Sequence, residues 1–131
     1  MQSEGGALLA VVDDDADVRV ALTRLITSAG FTVETFACGA EFLKSVDDHE
    51  PACVVLDLHM PEISGFDIQA ALARNHVQVP VVVITGHDTA DNRTRALRLG
   101  ACSYLCKPVD GDALLAAIDD AITQPQQGDP R

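Results

Sequence analysis

The sequence predicts an α/β fold, in which five parallel strands form a doubly wound sheet with helices on both faces. Short apolar runs rich in β-branched residues, such as ACVVL at 52–56 and VVVI at 81–84, are typical of strands buried on both sides. Segments of helix length follow these runs, and their apolar residues recur every three or four positions. The two kinds of segment alternate five times, which is the pattern of a parallel sheet with crossover helices.

The first half of the chain supplies two strands and two helices. A strand at about 8–12 leads into a helix from 16 to 29, which Gly30 ends. Residues 31–36 alternate apolar and polar side chains, which predicts a strand at or near the edge of the sheet. A second helix at about 40–46 completes this half.

The second half of the chain contains three further strands, the first of which ends at Asp57. Pro80 opens the next strand, where a missing backbone N–H is tolerated. The remaining predicted elements are a helix at 65–74, a strand at 81–85, a helix at 89–99, a strand at 102–106 and a last helix at 110–122. The whole is a flavodoxin-like (βα)5 arrangement.

The helix predicted at 89–99 carries little apolar surface. Its first turns are polar, so that only Ala90, Ala96, Leu97 and Leu99 remain to pack. We expect a helix with so few apolar contacts to be weakly anchored and to shift at low free-energy cost.

Composition and charge narrow the class of protein. The 131 residues, 47% of them hydrophobic and 22% charged, fit one globular domain. No apolar run approaches the roughly 20 residues that cross a membrane. The N-terminus lacks the basic region of a secretion signal, so we expect a cytoplasmic protein. The net charge of −11 argues against direct contact with nucleic acid.

The chain divides into one domain and two short terminal segments. We expect a flexible N-terminus at 1–6, the domain at 7–123, and a Gln/Pro/Gly-rich segment at 124–131 that is a disordered tail or the start of a linker. The four cysteines lack the spacing of a metal site, and we interpret them as reduced thiols.

Reactive side chains stand at the ends of four predicted strands. The first strand runs into three aspartates at 13–15, and later strands run into Asp57, Thr85 and Lys107. Ligands of open α/β sheets bind beyond the carboxyl ends of the strands. We therefore expect these side chains to meet in one pocket.

This set of side chains suits phosphoryl chemistry. Asp57 can act as a nucleophile toward phosphorus and form an acyl phosphate. Such a reaction needs a divalent cation, and Asp13 and Asp14 offer the oxygen ligands that Mg²⁺ prefers. Lys107 supplies a positive charge, and Thr85 a hydroxyl donor, for the phosphoryl oxygens.

Six short motifs stand at these strand ends and in the loops: VDDD at 12–15, LDLHMP at 56–61, SG at 64–65, ITG at 84–86, GA at 100–101 and KP at 107–108. Together and in this order they make residues 7–123 resemble the receiver (phosphoacceptor) domain of bacterial two-component response regulators. The TGH segment at 85–87 further resembles the branch typified by nitrogen-fixation regulators, in which the receiver drives a helix-turn-helix output domain.

The resemblance implies a role for each site residue. Asp57 would take a phosphoryl group from a histidine of a sensor kinase or phosphotransfer protein. Asp13 and Asp14 would hold Mg²⁺ together with Asp57 and the backbone carbonyl of His59. Thr85 and Lys107 would bind the phosphoryl oxygens. The domain would assist its own phosphorylation and dephosphorylation without being an enzyme.

The resemblance also implies how a signal leaves the site. Tyr104, at the family's aromatic switch position, would turn inward as Thr85 moves toward the phosphoryl group, and a cis peptide before Pro108 would help to aim Lys107. We call the helix at 89–99, the strand at 102–106 and the last helix together the output surface. This surface would change its preference for partners, often toward a homodimer, and control an output domain or a partner in transcription regulation. The alternative is a stand-alone receiver that acts by docking to a protein.

Two local questions stay open in the sequence. Asp15 occupies a place where the family often carries glutamate, and three consecutive aspartates leave the register uncertain by one residue. His59 and His87 each stand two residues beyond a strand end. One hypothesis is that they make the acyl-phosphate lifetime depend on pH. The other is that both are exposed loop residues with little effect.

Two other classes of protein fit less well. A phosphatase of the haloacid dehalogenase type needs a second aspartate two residues after the nucleophile, and His59 stands there. A small flavodoxin-like cofactor binder needs a Ser/Thr/Gly-rich phosphate loop after the first strand, where this chain has three carboxylates that repel anionic phosphate.

Overall fold

The protein is an α/β domain with one five-stranded parallel sheet, as predicted. The structure, a computed structural model, describes residues 6–123, so that the predicted terminal segments, apart from Gly6, lie outside the described residues. The elements in chain order are β1 (Leu8–Val12), α1 (Ala16–Ser28), β2 (Thr32–Phe36), α2 (Gly39–Asp48), β3 (Cys53–Asp57), α3 (Gly65–Arg74), β4 (Val81–Thr85), α4 (Ala90–Arg98), β5 (Ser103–Cys106) and α5 (Gly111–Thr123).

The order of the strands across the sheet is β2-β1-β3-β4-β5, and all neighbours are parallel. β2 is therefore an edge strand, as its alternating pattern predicted, and three of its five residues are exposed. The chain moves outward from β1 first to one edge and then to the other. This reversal of direction is the switch point of a doubly wound sheet, and it lies between β1 and β3.

Each face of the sheet is covered by its own hydrophobic core. Successive strand residues point to opposite faces, so Leu9 and Val11 pack with α1 and α5, whereas Ala10 and Val12 pack with α2, α3 and α4. All five residues of β3 and of β4 are buried, because both strands lie inside the sheet between two helical layers. None of the helices in the described residues is long and apolar enough to span a bilayer.

Four cysteines lie in the domain as free thiols. Cys53 is fully buried in β3, and burial raises the pKa of its thiol to about 12, so it behaves as a small hydrophobic residue.

The packing of α4 corrects the sequence expectation. Ala96 is fully buried and Leu99 packs against the core, but Ala90 is exposed and the Leu97 side chain is 44% exposed. The expectation that all four would pack was wrong, since only a narrow stripe of a nine-residue helix faces the sheet.

Polar side chains supply the anchoring that the apolar stripe of α4 lacks. The Gln69 Nε2 atom donates a buried hydrogen bond to the Ala96 carbonyl over 2.9 Å. The Arg95 guanidinium lies 4.1 Å from the centroid of the Phe66 ring, and that of Arg93 lies 4.6 Å from the centroid of the Tyr104 ring. The helix is thus held to α3 and β5 by contacts that the hydrophobic pattern does not indicate.

Candidate functional site

Three polar side chains are buried at the carboxyl edge of the sheet. Asp13 follows β1, Asp57 ends β3 and Thr85 ends β4, and their exposed fractions are 0%, 3% and 0%. Burial of polar groups is costly unless other groups compensate for it. Their position beside the switch point of the sheet marks this edge as the candidate site.

Gly65 allows α3 to begin directly beside Asp57. A Cβ atom at this position would lie 2.5 Å from the Asp57 carbonyl oxygen, so only glycine fits without a shift of the backbone. Ser64 and Asp67 form a capping box at the same helix end, which fixes where α3 starts. The SG motif therefore positions the loop that follows Asp57.

An acidic cluster forms the floor of the site. One carboxylate oxygen from each of Asp13, Asp14 and Asp57 lies within 4.8 Å of the others. The Lys107 Nζ atom lies 2.9 Å from Asp13 Oδ2 and 3.6 Å from Asp57 Oδ1. Three hard oxygen donors converging on one point fit a divalent cation such as Mg²⁺. The structure thus brings Asp13, Asp14, Asp57 and Lys107, four of the side chains expected at the strand ends, close together.

The structure also shows where each of the three consecutive aspartates lies. Asp13 is buried and its Oδ1 atom accepts the Asp15 backbone N–H over 2.9 Å, whereas Asp14 is exposed beside the pocket. Asp15 caps α1 by accepting the N–H groups of Asp17 and Val18 over 2.9 and 3.3 Å. The register with Asp13 and Asp14 in the cluster is therefore the one that occurs, and Asp15 serves the helix.

Burial and the nearby charges shift the pKa values of the groups in the acidic cluster. Burial, followed by the charge of Asp13, raises the pKa of Asp57 from 3.8 to about 6, although Lys107 and the His59 N–H act in the opposite direction. Partial burial acts to lower the pKa of Lys107, but its interactions with Asp13 and Asp57 outweigh that effect and raise it. The cluster therefore carries excess negative charge that a cation would relieve.

Two imidazole rings, of His59 and His87, line the same pocket as the carboxylates. The ring centroids of His59 and His87 lie 4.3 Å apart at an angle of 47°. The Thr85 Oγ1 atom accepts the His87 backbone N–H over 3.0 Å and shares a hydrogen bond of 3.3 Å with His59 Nδ1. Partial burial, followed by the proximity of His87 and Lys107, lowers the pKa of His59. The sequence pointed to both histidines, but their contact with each other and with Thr85 emerges only from the fold.

The pocket itself is open and about 310 Å³ in volume. It is large enough for a phosphoryl group with water, and Asp57 lies at its base. The residues that line it are Asp14, Asp15, Asp57, His59, Gly86, His87 and Lys107.

Tyr104 lies inward in this structure. Its side chain is buried beneath Arg93. Burial, followed by the nearby Asp88 carboxylate, raises the pKa of the phenol. The structure therefore shows the inward position, and the movement predicted for Tyr104 stays a prediction. The Lys107–Pro108 peptide bond is cis, as the resemblance to the receiver family implied.

Sequence reasoning missed the polar anchors of α4. Gln69 is 2% exposed and reaches from α3 to the Ala96 carbonyl, yet a glutamine between two apolar helix positions carries no distinctive signal. Arg93 and Arg95 belong to the polar turns of this helix, and the sequence carries no signal of their contacts because the aromatic rings beneath them come from distant segments.

The fold and the site define a doubly wound α/β domain with an acidic, cation-compatible site at the carboxyl edge of its sheet. Residues 9–119 match the family model of the response regulator receiver domain. The chain belongs to this receiver family of two-component signalling systems. The haloacid dehalogenase and cofactor-binder alternatives are thereby excluded.

The proteins and the solved structure that are similar to this chain support the assignment to this family. The response regulator protein TodT of Pseudomonas putida is 36% identical over 126 residues, which cover 95% of this chain and 56% of TodT. The DNA-binding transcriptional regulator NtrC of Escherichia coli is 36% identical over 117 residues, which cover 89% of this chain and 25% of NtrC. The crystal structure of FixJ-N is 30% identical with a TM-score of 0.85, and the match covers 95% of this chain and 98% of that one. The chain thus spans about half of TodT and a quarter of NtrC.

Proposed function

We propose that this domain accepts a phosphoryl group on Asp57 from a phosphohistidine of a sensor histidine kinase or of a phosphotransfer protein. One observation carries the proposal. The carboxylate of Asp57 lies at the base of an open pocket, within 4.8 Å of oxygens from Asp13 and Asp14 and 3.6 Å from Lys107 Nζ. A nucleophile, cation ligands and a fixed positive charge therefore meet where a phosphoryl group can enter.

The step forms one bond and breaks one. An Asp57 carboxylate oxygen bonds to phosphorus while the bond from phosphorus to the histidine nitrogen breaks, and the donor imidazole keeps the electron pair and takes up a proton. Lys107 then faces the new negative charge, and the Thr85 hydroxyl donates to a phosphoryl oxygen. Each domain takes up one phosphoryl group in this step and is itself the acceptor, so we class it as a phosphoacceptor and not as an enzyme.

A Mg²⁺ ion would be held by Asp13, Asp14, Asp57 and the backbone carbonyl of His59. When bound, it would supply positive charge that offsets the repulsion between the carboxylates and the incoming phosphoryl oxygens. The raised pKa of Asp57 supports this role, because the cluster disfavours a further negative charge in the absence of a cation.

The output that we propose is transcription control through an attached domain or a partner. The output surface now corresponds to α4, β5 and α5, and phosphorylation would shift its preference toward partners such as a second copy of the chain. NtrC is by name a DNA-binding transcriptional regulator, and this chain matches only a quarter of it. We infer that any contact with DNA would be made by a part of the protein or a partner other than this acidic domain. We also infer that the protein acts in the cytoplasm. A stand-alone receiver that docks to a protein is the alternative.

The direct test is phosphoryl uptake from acetyl phosphate, followed by intact mass. We expect a gain of one phosphoryl group that requires Mg²⁺ and is lost in Asp57→Asn. Asp47→Asn, which removes an exposed carboxylate on α2, serves as the matched control and should behave as the wild type. Uptake by Asp57→Asn at the wild-type rate would overturn the assignment.

A further inference from the structure

The hydroxyl group of Thr85 is engaged from two sides. Its Oγ1 atom accepts the His87 backbone N–H over 3.0 Å, and it lies 3.3 Å from His59 Nδ1. A threonine hydroxyl has a single proton to donate, and the His87 amide is itself a donor. Thr85 is fully buried, and the contact satisfies both partners when His59 Nδ1 carries no hydrogen and accepts the hydroxyl proton.

His59 is held in place by further contacts. Its backbone N–H donates to Asp57 Oδ1 over 3.3 Å, and its ring packs against that of His87 with centroids 4.3 Å apart. His59 thus contacts the proposed phosphoacceptor through its backbone and Thr85 through its side chain. This single residue links the ends of β3 and β4.

We propose that His59 is a positioning residue whose Nδ1 atom accepts the Thr85 hydroxyl proton and holds that hydroxyl in its resting orientation. When Asp57 is phosphorylated, Thr85 must exchange this acceptor for a phosphoryl oxygen. The imidazole and the phosphoryl group therefore compete for one proton. The inference rests on the proposed function. It adds a role for the side chain of His59, which neither reacts with the phosphoryl group nor binds the cation.

Two substitutions at His59 distinguish the proposed role as a hydrogen-bond acceptor from a role in which the side chain only fills space. His59→Leu fills the space but removes the acceptor, whereas His59→Asn places Oδ1 near the position of Nδ1 and keeps it. The loss of one neutral hydrogen bond corresponds to roughly a 3- to 10-fold change in an equilibrium or rate. We expect His59→Leu to take up phosphoryl groups from acetyl phosphate faster by about that factor. His59→Asn should stay within about twofold of the wild type.

A double-mutant cycle with Thr85 makes the test specific. Thr85→Val removes the hydroxyl with little change in shape, so His59→Leu should have no further effect on the rate in that background. An effect of equal size with and without the hydroxyl would show that His59 acts on donor access and not on Thr85, and would overturn the inference. The inference also fails if His59→Asn behaves like His59→Leu.

Two controls keep the outcomes distinct. Mg²⁺ affinity measured by calorimetry should be unchanged in His59→Leu, because the proposed ligand there is the backbone carbonyl, and far-UV circular dichroism checks the fold. If the wild type takes up no phosphoryl group from acetyl phosphate or from phosphohistidine, which is the kind of donor proposed above, the proposed function and this inference fall together. If the wild type is phosphorylated and the cycle shows no coupling, only the inference falls.

Discussion

Lys107 and Asp13 form the closest ion pair of the site, with Nζ 2.9 Å from Oδ2, and the carboxylate of this pair is fully buried. The pair joins the end of β5 to the end of β1 across two intervening strands. Lys107 also reaches Asp57 over 3.6 Å, so one ammonium group faces two carboxylates that repel each other.

Removal of the ammonium group should destabilise the domain. Lys107→Met keeps the length of the side chain but leaves Asp13 and Asp57 without a fixed cation, and we expect the free energy of unfolding in EDTA to fall by about 2 kcal/mol. Mg²⁺ should restore more stability to the variant than it adds to the wild type. Urea unfolding with and without Mg²⁺ measures both effects. Lys44→Met, at an exposed position on α2, should change the free energy by less than about 0.5 kcal/mol.

Asp57 should make stability depend on pH in the absence of divalent cations. Its pKa is raised from 3.8 to about 6, so its favourable contribution is present below pH 4 and is lost as the pH rises through 6. The full shift corresponds to at most about 3 kcal/mol. Asp57→Asn removes this penalty and should be more stable than the wild type at pH 7. The difference should shrink toward pH 4.

Urea unfolding of both proteins at intervals between pH 4 and pH 7.5 checks this dependence. Asp47→Asn gives the baseline for an exposed carboxylate. A stability difference between Asp57→Asn and the wild type that is the same at pH 4 and pH 7 would contradict the raised pKa.

The glycine at the start of α3 should not tolerate a side chain. In Gly65→Ala the new Cβ atom would meet the Asp57 carbonyl oxygen at 2.5 Å, and we expect a loss of about 1–3 kcal/mol in the free energy of unfolding. Gly86→Ala is the matched control, since its Cβ atom would meet only the Lys107 Cδ atom at 4.0 Å. Equal stability of the two variants would show that the backbone at Asp57 yields more easily than the structure indicates.

The buried bond from Gln69 to α4 should matter for local order more than for global stability. The Ala96 carbonyl also accepts the Ala101 N–H over 3.1 Å, so Gln69→Leu leaves it with a partner. The Gln69 Oε1 atom is buried without a hydrogen bond, and its removal offsets part of the loss. We expect the free energy of unfolding to change by less than about 1 kcal/mol.

Amide hydrogen exchange in α4 should nevertheless become faster in Gln69→Leu, because the helix keeps few apolar contacts. Exchange in α5, on the other face of the sheet, serves as the internal reference. Unchanged exchange in α4 would show that Ala96 and Leu99 anchor the helix without Gln69.

Most of the fold could be predicted because its signals are local. The apolar runs and helical periodicities located all ten elements, with ends that differ from those in the structure by at most two residues. The positions of Asp57, Thr85 and Lys107 at strand ends likewise predicted that their side chains lie close together, because parallel strands bring their carboxyl ends to one edge of the sheet. Local patterns do not report which strands are neighbours, and the order β2-β1-β3-β4-β5 is a property of the assembled sheet.

Residue types at fixed spacings were enough to predict the class of fold, the side chains at the strand ends and the family to which the chain belongs. Three other features became known from the folded domain alone: which aspartate is buried, which face of α4 packs, and that His59 meets Thr85. Those features depend on contacts between residues far apart in the chain. A hydrogen bond or an aromatic contact of that kind leaves no periodic trace in the sequence, because each partner is chosen by the packing of the whole domain.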